Sequence, residues 1–367
     1  MRNVMSWIRI FIIQCFYTIV LFFGLDYVNT NYLSFGINNE VLYRVSHNIY
    51  HHSLRPSFDG IGSWGGNTYR ACTDGNGFKS DCDSIQTSQS NFDVAFIGDS
   101  FTEAIGVPYE DSFVGMFAAS KPNLYVANLG VSSYSPTVYR SKIKDFIARG
   151  YKFNHLVVFV DISDIQDETW YFTDSKGRVF QSENGGTTSQ TTISYKVKSY
   201  IKDNFFLFRY ALRIFKQLFI DKNQAANENI RASERRSEWT YNTSSDAYSD
   251  LGVTGAINKA IREMTLLHEL LDANAIKLSV GVYPWPAQLS EMARNKNDDN
   301  LQVSIWRDFC VNRCVNFVNM FPEYSRLIRD TSVDDVYQGY FIKGDVHYNV
   351  EGNRLINETL LNLNFSE

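Results

Sequence analysis

The stretch DVAFIGDSFTEAIGVP, from Asp93 to Pro108, closes an apolar run with a Gly-Asp-Ser turn. A short apolar run, a turn and a helix start are the marks of a parallel strand covered on both faces. Such a turn carries the Ser100 hydroxyl to the carboxyl end of a sheet, where open α/β sheets form their crevices. It also sets the hydroxyl near the positive end of a helix dipole, which suits developing negative charge. A serine at a turn is ordinarily a helix cap. A serine nucleophile needs a base as well, and the base needs an orienting carboxylate. Of six histidines, His47, His51 and His52 precede the α/β region, His155 opens a strand and His268 falls inside a helix. Only His347, in GDVHYNVEG, combines a loop setting with an adjacent acid, Asp345. The expected chemistry is attack by Ser100, proton uptake by His347 and orientation of the imidazole by Asp345.

The elements needed to position these groups are legible as alternating strands and helices. After FDVAFIG come a helix in DSFVGMFAAS with Asp111 at its cap, a strand in NLYVANLG, and a helix in SPTVYRSKIKDFIARG. That last helix has Ser135 as N-cap, Pro136 at its first position and Gly150 past its end. A strand in HLVVFVDI follows, then a helix over Asn258–Asn274, a strand in IKLSVGVY, a helix through Trp306, a strand near VNFVNM and a final helix from Val350. Repeated β-then-α order implies a mostly parallel sheet with helices on both faces. There is no internal repeat.

Three segments stand apart. Trp7–Leu25 is apolar except for Arg9 and Gln14, long enough for a hydrocarbon core of roughly 30 Å. Arg2 and Arg9 precede the run and Asp26 follows it, so residues 1–25 read as an anchor with the rest exported. A cleaved signal peptide is the competing reading, against which FFGLDYVNT lacks a small-x-small cleavage pattern. Residues 26–90 form a membrane-proximal segment, where His51 and His52 read as loop histidines rather than metal ligands. Within 91–367, residues 173–250 interrupt the pattern. Their first part is loop-like, and SYKVKSYIKDNFFLFRYALRIFKQLFI is an aromatic helix candidate: a lid, a membrane-surface helix or a helix packed on the domain. NQAANENIRASERRSE reads as a solvated connector.

Composition narrows the classes. The 367 residues are 44% hydrophobic with a net charge of −5 and no basic run, which excludes a nucleic-acid binder. In an oxidising compartment Cys72 pairs with Cys82 and Cys310 with Cys314. The second pair needs an adjusted backbone, because i and i+4 on a regular helix are near the limit of disulfide reach. No metal or cofactor is expected.

The blocks GDSFTE, NLGVSSYSP, VVFVDISDIQDE and GDVHYNVEGNRL resemble, in order, those of the SGNH/GDSL hydrolase superfamily. The resemblance runs from about Phe92 to the C-terminus and implies a flavodoxin-like three-layer α/β/α domain that hydrolyses or transfers acyl groups through an acyl-serine. It implies oxyanion donors at the backbone N–H groups of Ser100 and Gly130, and places Ser163 where the family carries an asparagine. The Asp-x-His spacing is similar to that of membrane-anchored, polysaccharide-modifying members. In VGVYPWPAQL, Tyr283, Trp285 and Gln288 follow a strand and can reach the crevice as sugar-binding groups, or form a proline-fixed turn with a packed Trp. The leading expectation is an extracytoplasmic esterase or O-acyltransferase acting on a cell-surface glycan or glycolipid. A catalytically silent glycan-binding or scaffold domain and a plain lipase are the rivals.

Overall fold

The computed structural model describes residues 2–33, 43–182, 204–219, 233–242, 251–295 and 298–363, with 197, 200, 201 and 365 besides. Five parallel strands form the central sheet: β1 (Asn91–Ile97), β2 (Val126–Asn128), β3 (Lys152–Phe159), β4 (Lys277–Val282) and β5 (Asn316–Asn319). Their spatial order is β5-β4-β3-β1-β2, which is the flavodoxin-like doubly wound order. Val94 to Ile97 of β1 and Leu156 to Phe159 of β3 are all buried, as strands covered on both faces require.

Right-handed crossovers dictate where the helices go. The step from β1 to β2 runs one way along the sheet, and every later step runs the other way. The helix Phe113–Ser120 therefore lies on one face, packed against the final helix Val350–Leu361. The helices Pro136–Ala148 and Gly252–Asp272 pack together on the opposite face. The direction reverses between β1 and β3, so a crevice opens at the carboxyl ends of those two strands.

Local details differ from the sequence reading in three places. Ser112, not Asp111, caps the helix Phe113–Ser120, its hydroxyl accepting from the Gly115 N–H, while Asp111 ends a preceding 3-10 turn. The helix expected from Asn258 begins at Gly252. The Ser135 hydroxyl makes no cap bond and donates instead to Glu168 Oε2 at 2.6 Å.

Residues 43–90 share the sheet domain's core through Tyr43, Tyr50, Leu54, Phe58 and Phe78. They form two antiparallel hairpins, Arg44–His47 with His51–Leu54 and Asp59–Trp64 with Asn67–Cys72. Gly65 and Gly66 turn the second hairpin with positive φ at both positions, the requirement of a tight two-residue turn. A bridge from Lys79 to Asn128 covers the β2 edge, and the Lys79 ammonium donates to the carbonyls of Ala104 and Val107.

Cys72–Cys82 and Cys310–Cys314 are both bonded. The second pair closes because its helix stops at Cys310 and Asn312 turns left-handed. At the N-terminus, the helix Arg2–Val28 continues into a π-turn, and Arg9–Leu33 is long and apolar enough to cross a membrane. The amphipathic helix Phe206–Phe219 docks on its end, with Asp26 accepting from the N–H groups of Leu207 and Phe208 and Phe23 packing on Phe205 and Phe208. The first part of the 173–250 segment supplies a short hairpin strand, Val179–Gln181, paired with Tyr171–Thr173. Residues 223–232 of the connector lie outside the described residues, as do 194–196, 198, 199, 202, 203 and 220 of the aromatic helix candidate.

Candidate active site

Ser100 opens a four-residue helical turn, Ser100–Glu103, at the end of β1. With one turn there is little macrodipole; the local donors matter instead. The Phe101 N–H is spent on Asp99 Oδ1, whereas the Ser100 N–H stands at the first helical position, with no helical carbonyl to accept it.

His347 comes from a tight loop between Phe341 and Tyr348, closed by Ile342 N–H to His347 O and Asp345 N–H to Ile342 O. The loop turns Asp345 back on His347, so that the carboxylate accepts the His347 backbone N–H at 3.0 Å and faces Nδ1 at 2.5 Å. A two-residue spacing therefore serves as well as a longer one. His347 Nε2 lies 2.8 Å from Ser100 Oγ, and the Phe101 ring packs on the imidazole. Burial raises the Asp345 carboxyl, but bonds from His347 and Trp64 outweigh it and hold the group below the ordinary range.

Asp99 adds a fourth member. Its Oδ2 is 3.1 Å from Ser100 Oγ, and its Oδ1 accepts from Phe101 N–H and the Tyr283 hydroxyl. One serine proton cannot serve both His347 and Asp99. Burial, then the charge of Asp161, push the Asp99 carboxyl well above the usual carboxylate range. A neutral Asp99 donates to Ser100 Oγ and leaves the serine proton directed at His347.

These groups open on a cavity of about 370 Å³. Its lining takes Ser100 from the first sequence block, Ser132 and Ser133 from the second, Ser163 and Asp167 from the third, and Asp345 and His347 from the last. The four blocks meet at one rim of the sheet.

Several expected site residues serve other ends. The Gly130 N–H donates to Asn128 Oδ1, and a Cβ at this position would lie 2.6 Å from Glu103 N. Its glycine character serves close packing against the Ser100 turn rather than an oxyanion. Ser163 lines the cavity, but its hydroxyl and N–H both donate to Asp161 Oδ1. Trp285 lines the cavity with its indole N–H bonded to Asp161 Oδ2 at 2.6 Å. Tyr283 is buried behind Ser100 against Asp99. Gln288 is buried too, accepting from the Trp285 N–H and donating to Gln302. Neither of the last two faces the cavity, so both shape the wall that a substrate would meet.

Trp64, Ser233 and Arg236 lie in the cavity outside every block the sequence reading singled out, and Asp99, inside the first block, was read only as part of the turn. The paired histidines support the rim, with His52 Nε2 on the Ser132 carbonyl at 2.8 Å. His155, bonded to Ser279 and pushed down to about 4 by burial, is a core group. Cys72 and Cys82, which lie near Asp59, are consumed by their disulfide. Asp99, Asp161 and Asp164 cluster behind Ser100 with raised carboxyls, burial being the main cause for each.

Fold and site together define a doubly wound α/β domain with a Ser-His-Asp constellation at its switch point. No family model and no curated protein sequence matches the chain. Among solved structures it is similar to an acetylxylan esterase from Geobacillus stearothermophilus, at 9% identity over 76% of this chain and 97% of that one, with a TM-score of 0.39. It is also similar to a member of the lipolytic protein G-D-S-L family from Veillonella parvula DSM 2008 (14% identity, 74% and 96% covered, TM-score 0.39). A third is LAE5, an alpha/beta hydrolase enzyme from the metagenome of Lake Arreo, Spain (11% identity, 75% and 94% covered, TM-score 0.39).

Proposed function

We propose that the chain is a membrane-anchored serine esterase or O-acyltransferase whose α/β domain lies outside the cytoplasm and acts on an acylated cell-surface glycan or glycolipid. One observation carries the chemistry: Ser100 Oγ, His347 and Asp345 are joined in hydrogen-bonded order, 2.8 Å and 2.5 Å apart. Ser100 Oγ attacks the ester carbonyl as His347 Nε2 takes its proton, and Asp345 stabilises the imidazolium. His347 then protonates the departing alkoxide, leaving an acyl-serine. Water or a sugar hydroxyl, deprotonated by His347, releases the acyl group and restores Ser100. The Ser100 N–H supports the oxyanion. The apolar Arg9–Leu33 helix supports the anchor, the two disulfides support an oxidising compartment, and the hydroxyl- and indole-lined cavity supports a sugar.

A second reading has its own support. Two of the expected oxyanion donors, the Gly130 N–H and the Ser163 hydroxyl, are committed within the protein, which suits a silent domain that only binds glycan. Turnover of p-nitrophenyl acetate and labelling by a fluorophosphonate, each compared with Ser100→Ala, separate the two. Activity and labelling confined to the wild type support the enzyme; glycan binding without either supports the silent domain.

A further inference from the structure

We propose that Ser233 and Arg236 form a carboxylate-reading subsite in the cavity that holds Ser100, so that the substrate carries a carboxylate beside its scissile ester. The proposal rests on the esterase reading above and names its substrate class.

Both residues belong to a short helical turn over 233–237, three positions apart and hence on one face. Both line the Ser100 cavity. Among the described residues Arg236 is the one lysine or arginine in that lining. Its guanidinium is held at the wall by Asp167, 3.9 Å away. Ser233 is 2% exposed, and among the described residues its hydroxyl has no hydrogen-bond partner. A buried hydroxyl left unpaired is costly unless something entering the cavity satisfies it. A carboxylate offers one oxygen to the guanidinium, whose fork of donors leaves room beside Asp167, and one to accept from the Ser233 hydroxyl. Asp99, Asp167 and Asp345 line the same cavity and oppose a phosphate dianion more strongly than a monoanion, so a carboxylate is the anion that fits.

The carboxylate can sit on the acyl side or the alcohol side of the ester, and paired substrates distinguish these. For the full chain in detergent, kcat/KM is measured for p-nitrophenyl hemisuccinate against p-nitrophenyl acetate, and for an O-acetylated methyl glucuronoside against the matching glucoside. The expected result is a preference of about tenfold or more for the charged member of one pair, falling to near unity in Arg236→Gln and by about threefold in Ser233→Ala. Arg236→Lys retains part of it. Equal rates within both pairs, or a preference surviving Arg236→Gln, would overturn the proposal. Calorimetric titration of Ser100→Ala with succinate, methyl glucuronoside and methyl glucoside reads the subsite without turnover. Should the wild type hydrolyse none of the esters, the esterase reading fails, while anion-selective binding that requires Arg236 would still establish the subsite. Absence of such binding would refute it.

Discussion

The indole N–H of Trp64 lies 3.2 Å from His347 Nδ1, joining residues 283 positions apart. When Nδ1 carries the proton it shares with Asp345, the indole N–H finds its acceptor in the Asp345 carboxylate, which that bond helps to keep ionised. The hairpin Asp59–Cys72 thus reaches over the sheet domain to steady the acid behind the base. Gly65 at its tip is seated against Ile342 of the His347 loop, where a Cβ would come within 2.4 Å of a side-chain methyl.

Trp64 is a positioning residue by this geometry. Trp64→Phe keeps the ring and removes the N–H, so kcat for p-nitrophenyl acetate should fall by about tenfold, the worth of one hydrogen bond to a charged group. KM should change little, and the acid limb of the pH–rate profile should move upward as Asp345 loses a donor. A rise in KM at constant kcat would instead make the indole a substrate contact.

Burial, which raises the Asp99 carboxyl, places Asp99 to serve as a neutral donor to Ser100. Asp99→Asn supplies an N–H in place of the acid proton and should retain activity within about fivefold. Asp99→Ala should lose on the order of a hundredfold, comparable to losing a polar group at an oxyanion site. Steady-state kinetics of the two variants are the check, and similar losses in both would show that Asp99 works as an anion.

Arg44 ties the first hairpin to the Ser100 turn through both carboxylate oxygens of Glu103, at 2.8 and 3.0 Å, with Glu103 itself buried. Glu103 Oε2 also accepts the Ser132 N–H, so one ion pair braces two walls of the cavity. Arg44→Ala leaves a buried carboxylate without its cation and should cost about 2–4 kcal/mol. Denaturant unfolding should show a lower midpoint with an unchanged slope; an unaltered midpoint would mean that the pair contributes nothing.

Stability should fall as pH rises from about 4 to 7. Burial is the leading cause in raising Asp74 to about 6 and Asp167 to about 7, and it raises Asp161 and Glu168 as well. A raised carboxyl holds its proton in the folded protein where the unfolded chain has released it. Its contribution is present below the unfolded value and disappears as pH climbs through the folded one, at up to about 1.4 kcal/mol per pH unit for each proton. His47 and His155, depressed by burial from 6.5 to about 4, act oppositely in that interval but are outnumbered by the raised carboxyls, and Lys142, depressed by burial to about 7, acts oppositely only above that pH. Thermal unfolding should show a higher Tm at pH 5 than at pH 7, with Asp167→Asn flattening the difference; a higher Tm at pH 7 would contradict this.

What the sequence showed and hid has physical reasons. The meeting of Ser100, Asp345 and His347 is legible because each sits in a short local motif and the settings of the other histidines set them apart. Tyr283 and Gln288 depart from the expectation because the Tyr283 hydroxyl turns to Asp99 behind Ser100, and Gln288 falls in the helix Pro286–Asn295 with its amide turned to Gln302. Gly130 read as a donor, but a glycine needed for close approach looks the same in sequence. That the turn at Gly65–Gly66 delivers Trp64 to His347 depends on how a hairpin docks, which no local pattern encodes. Ser233 and Arg236 were hidden inside a polar connector whose composition reads as solvent-facing.

The central claim is that the Ser100 hydroxyl is made nucleophilic by His347 and Asp345. Intact-protein mass spectrometry after fluorophosphonate treatment tests it most directly. A single adduct mapping to the peptide of Ser100 is expected, absent in Ser100→Ala and formed at least about a hundredfold more slowly in His347→Gln. An unmodified wild type, or an adduct that persists in Ser100→Ala, would contradict it.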